Sequence, residues 1–140
     1  MKATPSGDRM DLLIQGGLCL TLNARGDLID NCEIGISGGE IRFVRPAGSG
    51  KETAAEEALS AAGCLVMPGL VNTHTHLPMV FFRGLADDLP LMDWLRNYIF
   101  PAENRHVTRE LVRTGSLLAM AEMILSGTTT FCDGYFYEST

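Results

Sequence analysis

The chain has 140 residues, a length that suits one domain or a small domain joined to part of a larger one. Its hydrophobic content of 46% and charged content of 20% are ordinary for a protein that buries a core. The net charge of −6, with no cluster of Lys or Arg, argues against a nucleic-acid surface, and no apolar stretch predicts a transmembrane helix.

The cysteines and the N-terminus bear on the cellular compartment. The four cysteines are widely scattered and form no C-x-x-C pair, which favours free thiols in a reduced compartment over a disulfide framework. The N-terminal stretch MKATPSGDRMD is polar, which is not typical of a signal peptide. These features predict a cytoplasmic protein.

Residues 1–62 have the pattern of short β-strands followed by a linker. Residues 10–23 contain β-like runs split by two glycines, and residues 28–45 alternate as in a hairpin around the turn SGGE. Residues 46–62 are polar and rich in alanine, which predicts a loop with one weak strand or helical turn near Ala58 and Leu59. We interpret residues 1–62 as strands of a small β-sandwich and a linker.

The pattern changes at residue 63, where the apolar run CLVMPGLVN follows. Such a run is typical of a strand buried on both faces, so we expect residues 64–73 to enter a parallel sheet separate from the hairpin. Apolar residues at helical spacing then predict a helix that begins near Asp87, Asp88 and Pro90 and ends at Pro101.

A second helix is predicted from Thr108, a suitable N-cap, to about Ser126, with Gly127 as the residue that ends it. Because this helix is apolar around most of its circumference, we expect it to be well buried. Residues 128–131 predict a second buried strand, parallel to the first. Residues 63–140 therefore predict the first β/α units of an α/β fold.

Two of the three histidines lie in the stretch VNTHTHLPMVFFRG. In a strand, side chains at i and i+2 share a face, so His74 and His76 are expected to project together from the carboxyl end of the strand, with Thr75 pointing away. Neutral imidazole is a common metal ligand, which favours a metal site, whereas the alternative is two histidines in a polar loop. His106 lies in a polar stretch, and we predict that it is exposed and not a ligand.

Several blocks resemble the amino-terminal part of the metal-dependent amidohydrolase superfamily. They are MPGLVNTHTH, FFRGLADDLPLMDWL, PAENR and AEMILSGTTTFCDGYF, and the resemblance spans residues 10–137. Within the superfamily, the chain looks most like the 5-methylthioadenosine/S-adenosylhomocysteine deaminases and the related chlorohydrolases. The resemblance implies an α/β fold, a (β/α)₈ TIM barrel preceded by β-sandwich strands. This chain is expected to hold only part of that fold, because such a barrel takes about 250 residues.

The resemblance also implies roles for four side chains. His74 and His76 become the first two ligands of a divalent metal, with zinc as the expected ion and iron or manganese as alternatives. Trp94 becomes a wall of the nucleoside pocket, and Glu103 faces the ribose hydroxyls. From the residues alone, Trp94 could equally be a core aromatic on an amphipathic helix. For Glu103, the residues alone favour a solvated acid in the first turn of a helix.

No catalytic proton-transfer residue is expected within this chain. In the resembling enzymes, the remaining metal ligands and the acids that move protons come from later barrel strands, so we expect these 140 residues alone to be inactive. Arg83 and Asp133 lie in recognisable blocks, but their roles stay open. Asp87 and Asp88 are interpreted as caps or solvated loop residues.

The function implied for the full enzyme is metal-dependent hydrolytic deamination of an adenine nucleoside, a small-molecule substrate. We expect no nucleic-acid or membrane partner, and homo-oligomerisation stays open. One alternative is an enzyme that dechlorinates or deaminates triazines, or deaminates another heteroaromatic ring such as guanine or cytosine. A second alternative is a truncated, non-catalytic binding or dimerisation module. Trp94 and Glu103 favour a nucleoside, because the carboxylate needs sugar hydroxyls to bind.

Overall fold

The computed structural model describes residues 9–137 and divides the chain into two compact units, Met1–Pro68 and Gly69–Thr140. The division therefore falls at Pro68–Gly69, a few residues after the predicted boundary between residues 62 and 63. Each unit has its own sheets, and the candidate site residues all belong to the second unit.

The first unit is built from strands alone within its described residues. One sheet has the strand order β5-β4-β1-β6, and the other has the order β3-β2-β7. The β1–β6 and β2–β7 pairs are parallel, and the remaining pairs are antiparallel. Cys19, Cys32 and Ile34 form the buried core between these strands. The strands are β1 (Arg9–Gln15), β2 (Leu18–Leu20), β3 (Leu28–Asp30), β4 (Cys32–Ser37), β5 (Glu40–Pro46), β6 (Ala54–Ser60) and β7 (Leu65–Val66).

The predicted hairpin is confirmed, and so is the strand predicted within residues 46–62, which was expected to be weak. Strands β4 and β5 pair across a turn in which Gly38 and Gly39 have positive φ angles of 63° and 75°. Strand β6, however, pairs in parallel with β1 along nearly its whole length. Its alanines and glutamates have low β-propensity, and backbone pairing with β1 outweighs it. That the two sheets belong to a β-sandwich stays a prediction.

The apolar run over residues 64–73 forms two strands rather than one. Strand β7 joins β2 in the first unit, whereas β8 (Leu70–Thr75) pairs in parallel with β9 (Thr128–Asp133) in the second. Pro68 lies between them, and proline has no amide hydrogen to donate to a sheet. The prediction of a separate parallel sheet is therefore confirmed for β8, whereas β7 pairs in parallel within a mixed sheet of the first unit.

Helices connect β8 to β9 in the second unit. A 3-10 helix (Leu77–Phe82) follows β8 directly, and three helical segments then run without a break from residue 91 to residue 106. None of the helices in residues 9–137 is long and apolar enough to cross a membrane. The remaining helices are α1 (Leu91–Trp94), a π-helical segment (Leu95–Ile99), α2 (Phe100–His106) and α3 (Arg109–Leu125).

The predicted end of the first helix at Pro101 is wrong, because the helix continues to His106. Proline removes one backbone hydrogen bond, and a π-helical segment, in which the bonding changes to i→i+5, ends two residues before Pro101. The helix begins after Pro90, whose side chain makes no capping hydrogen bond, so neither Asp87 nor Asp88 is the N-cap residue.

Both predicted ends of α3 are confirmed. The Thr108 side chain accepts a hydrogen bond from the Leu111 amide at 3.1 Å, which satisfies one of the unpaired donors of the first turn. At the other end, Gly127 has a φ of 85°, the left-handed conformation that glycine adopts after a helix. Thr108 and Gly127 therefore define this helix from the sequence alone.

All four cysteines are free, as predicted.

The predicted burial of β8 and α3 is wrong. Helix α3 buries only Val112, Gly115 and Ala119, while Leu125 at its end is 88% exposed. In β8, Val71 is 62% exposed. Strand β9 pairs with β8 along one edge only, and the faces of a strand are buried only where another layer packs on the sheet.

Helix α3 packs closely on the 3-10 helix through Gly115. A Cβ atom at this position would lie 2.9 Å from the Pro78 Cα and 3.1 Å from the Phe81 ring. The first of these atoms is backbone and cannot rotate away, so any side chain here pushes the two helices apart. This contact holds the segment that follows His76 against α3.

We expect Gly115→Val to lower the free energy of unfolding by about 1–3 kcal/mol, the usual cost of overpacking a core. The measurement is chemical unfolding of the protein encoded by the complete gene. Thr114→Val is the matched control, because it places the same side chain on the exposed neighbouring position and should change stability by no more than about 0.5 kcal/mol. Equal effects of the two variants would contradict the close packing.

Candidate metal centre

The two histidines lie at the carboxyl end of β8. His74 is within the strand, and His76 is the residue between the strand and the 3-10 helix. The register of β8 against β9 shifts between Asn72 and Thr75, so the strict alternation behind the prediction is interrupted there. The rings converge all the same, with the two Nε2 atoms 3.3 Å apart and the ring planes at 83°.

The His76 ring is oriented by a backbone carbonyl. Its Nδ1 lies 2.6 Å from the Gly134 oxygen. Because a carbonyl oxygen can only accept, Nδ1 must carry the hydrogen and donate it. In a neutral imidazole, the lone pair is then on Nε2, the atom that faces His74. Metal-binding histidines characteristically use the second ring nitrogen in this way.

The spacing of the pair fits a shared metal ion. Two nitrogens bound to one tetrahedral zinc at about 2.0–2.1 Å lie about 3.3 Å apart. His74 and His76 are both exposed, so an ion can reach them. Within residues 9–137, no third histidine, cysteine, aspartate or glutamate joins them in a group that could hold a metal. The donor set therefore fits two nitrogen ligands of a divalent metal.

The end of β9 is hydrogen-bonded to the end of β8 beside the histidines. The Leu77 amide donates to Asp133 Oδ1 at 2.8 Å, and the Gly134 amide donates to the Thr75 carbonyl at 3.2 Å. Asp133, whose role the sequence left open, thus contacts the residue that follows His76. The only signal in the sequence is an acidic residue two positions after the strand predicted over residues 128–131.

A cavity of about 590 Å³ opens beside His76 in the second unit. Most of its lining is apolar, and the polar side chains on its wall include Glu103 and Tyr135. The structure therefore brings Trp94 and Glu103, both predicted from the resemblance, to the same cavity as one of the two histidines. A large apolar cavity with few polar groups is the usual form of a small-molecule site.

Glu103 is half-buried and hydrogen-bonded rather than solvated. The Tyr135 hydroxyl donates to Glu103 Oε1 at 2.8 Å. Burial, together with this hydrogen bond and the charge of Glu103, raises the pKa of Tyr135, so the phenol stays protonated and remains a donor. Sequence reasoning missed Tyr135, which lies two residues after the end of β9.

Trp94 is half-buried at the cavity wall, and its indole N–H donates to the Leu85 carbonyl at 2.9 Å. This bond satisfies the only polar atom of the side chain and holds the ring in place. His106, by contrast, is exposed on α2, as predicted. Trp94 therefore lines a cavity and does not lie in a closed core.

Arg83, the other residue whose role was open, contacts α3. Its guanidinium donates to both oxygens of Glu122, at 3.2 and 2.6 Å. The pair lowers the pKa of Glu122, chiefly through these hydrogen bonds. Both side chains are largely exposed, so solvent screens the interaction. Arg83 therefore links the end of the 3-10 helix to α3 at the protein surface.

The family of the chain is shown by a comparison of its sequence with known families. Residues 65–140 match the Amidohydrolase family, and the chain belongs to that family. This match covers the two parallel strands, the intervening helices and every candidate site residue named above.

Two relatives by sequence are named as nucleoside deaminases. The chain is 51% identical over 131 residues to a 5-methylthioadenosine/S-adenosylhomocysteine deaminase of Syntrophobacter fumaroxidans, covering 93% of this chain and 30% of the relative. It is 44% identical over 127 residues to a 5′-deoxyadenosine deaminase of Methanosarcina barkeri, covering 91% of this chain and 28% of the relative.

A solved structure of similar fold is an adenosine deaminase from Xanthomonas campestris with bound zinc. It matches with a TM-score of 0.88 and 38% sequence identity, over 93% of this chain and 30% of that chain. The present chain therefore spans about 30% of the length of the similar proteins.

Proposed function

We propose that this chain supplies two metal ligands and part of the substrate pocket of a zinc-dependent deaminase that acts on adenine nucleosides. The observation that carries the proposal is the convergence of the His74 and His76 Nε2 atoms, 3.3 Å apart. His76 also lines the cavity that holds Trp94 and Glu103. We further propose that β8 and β9 are the first strands of a (β/α)₈ barrel and that the first unit is part of a β-sandwich.

The protein residues have distinct tasks in this proposal. His74 and His76 hold the metal through Nε2, and the Gly134 carbonyl keeps the hydrogen of His76 on Nδ1. A metal bound there would supply Lewis-acid chemistry, which lowers the pKa of water and so favours hydrolysis at the ring carbon that bears the amino group. The groups that move protons are expected on later strands of the barrel.

The nucleoside is the substrate class that best explains Glu103. A half-buried carboxylate can accept hydrogen bonds from two neighbouring hydroxyls, and the ribose of a nucleoside offers such a pair. Trp94 offers the flat face of an indole to a purine. The names of the relatives differ in the 5′ group of the nucleoside and share adenosine, which supports recognition of the base and the ribose.

The test is ammonia release by the protein encoded by the complete gene, with the DNA beyond Thr140 read first to define that gene. We expect deamination of adenosine and 5′-methylthioadenosine, loss of activity when a chelator removes the metal, and recovery with zinc. Free adenine and a chlorotriazine serve as controls that lack ribose. Turnover of the triazine without turnover of nucleosides would contradict the proposal, and no turnover by metal-loaded protein would favour the binding module.

A further inference from the structure

We propose that Asp133 is a positioning residue for the metal-binding histidines, an inference that rests on the proposed function. The hydrogen bond of the Asp133 side chain is to the backbone and not to an imidazole. Its carboxylate accepts from the Leu77 amide at 2.8 Å and so fixes the peptide bond that follows His76. In this role, one oxygen atom of the Asp133 side chain accepts a hydrogen bond.

His76 needs such support because it lies outside the strand. Its φ and ψ of −131° and 76° belong to neither β8 nor the following helix, and its own side chain does not cap that helix. The Leu77 amide is one of the first donors of the 3-10 helix and has no carbonyl partner within it. Asp133 supplies that partner from the neighbouring strand, 56 positions along the chain.

The same end of β9 also orients the ring. The Gly134 amide donates to the Thr75 carbonyl at 3.2 Å, and the Gly134 carbonyl accepts from His76 Nδ1 at 2.6 Å. Asp133 and Gly134 together therefore contact the residue before His76, its imidazole and the residue after it. Leu77 is only 5% exposed, so its buried side chain and its bonded amide anchor the same point.

Loss of the Asp133 oxygen should loosen this end of β9 and, with it, the Gly134 carbonyl that holds the His76 ring. Partners that orient metal ligands typically change metal affinity by about 10–100-fold when removed. The role requires an acceptor at this position and does not require a negative charge. Asparagine keeps the acceptor oxygen at the same reach, whereas alanine removes it.

The experiment measures zinc affinity by competition with a chromophoric chelator, using the protein encoded by the complete gene. We expect Asp133→Ala to weaken zinc binding by about 10–100-fold, and Asp133→Asn to stay within about threefold of wild type. The absorption spectrum of the cobalt-substituted protein should change in the alanine variant only. If the alanine variant does not fold, Asp133→Ser, whose side chain is too short for the contact, takes its place.

Thr108→Ala is the matched control for a loss of stability alone. It removes the N-cap of α3 and lowers the unfolding temperature, but it should leave zinc affinity unchanged. Equal weakening of zinc binding by Asp133→Ala and Thr108→Ala, or by Asp133→Ala and Asp133→Asn, would overturn the positioning role. If Asp133→Ala keeps the zinc affinity of the wild type, the positioning role is overturned and the proposed function is not. If the wild-type protein itself binds no zinc, the proposed function is overturned as well.

Discussion

Replacing His74 by alanine should remove most of the bound transition metal from the protein encoded by the complete gene. His74 and His76 present two nitrogens 3.3 Å apart, and loss of one leaves a single imidazole at this strand end. Removal of a direct ligand should cost more affinity than the roughly 10–100-fold that follows loss of a residue supporting a ligand. Deaminase activity should fall with the metal content, which elemental analysis of the purified protein measures.

The third histidine offers a matched control for this experiment. His106→Ala makes the same substitution at an exposed position on α2, away from β8. We expect its metal content to equal that of the wild type. If His74→Ala retains full metal content, the pair is not a metal site, and the polar-loop interpretation of the two histidines would replace it.

Replacing Glu103 by alanine should reduce kcat/KM for a nucleoside by roughly ten- to several-hundredfold. Hydrogen bonds to a charged group are typically worth about 1.5–3 kcal/mol, and the carboxylate is expected to accept one from each ribose hydroxyl. A substrate without those hydroxyls never makes the contact and should lose little. The measurement compares wild type and Glu103→Ala on 5′-methylthioadenosine and on its 2′,3′-dideoxy analogue.

The hydrogen bond to Tyr135 supplies a second variant for the same test. Tyr135→Phe removes the donor that contacts Glu103 Oε1 at 2.8 Å and keeps the carboxylate, so its effect should be smaller and confined to substrates with both hydroxyls. Equal losses on the two substrates in Glu103→Ala would mean that Glu103 supports the pocket and not substrate binding. The triazine or free-base alternative would then be favoured.

Much of the local structure followed from the sequence, because its signals act over a few residues. The turn with Gly38 and Gly39 and the two ends of α3 each depend on conformational preferences of single residues and their immediate neighbours. The convergence of His74 and His76 followed from their i, i+2 spacing, although His76 lies just beyond β8 and its ring also depends on the contact with Gly134. That these histidines bind a metal stays a prediction.

The errors of the sequence prediction come from partners that lie far along the chain. Residues Ala54–Ser60 form a full strand, where only a weak one was predicted, because β1 pairs with them. The helix through Pro101 continues because a π-helical segment accommodates the proline. The apolar faces predicted to be buried are exposed, since burial depends on which elements pack against them.

The sequence by itself therefore determined the two candidate metal ligands, the glycine turn between β4 and β5, and both ends of α3. Only the tertiary structure decided how those ligands are held. Asp133 contacts Leu77 across 56 positions of the chain, and Gly134 contacts His76 across 58. Tyr135 contacts Glu103 across 32 positions. No periodicity or turn preference encodes such contacts, because they form only when β9 pairs with β8 and brings its end to the histidines.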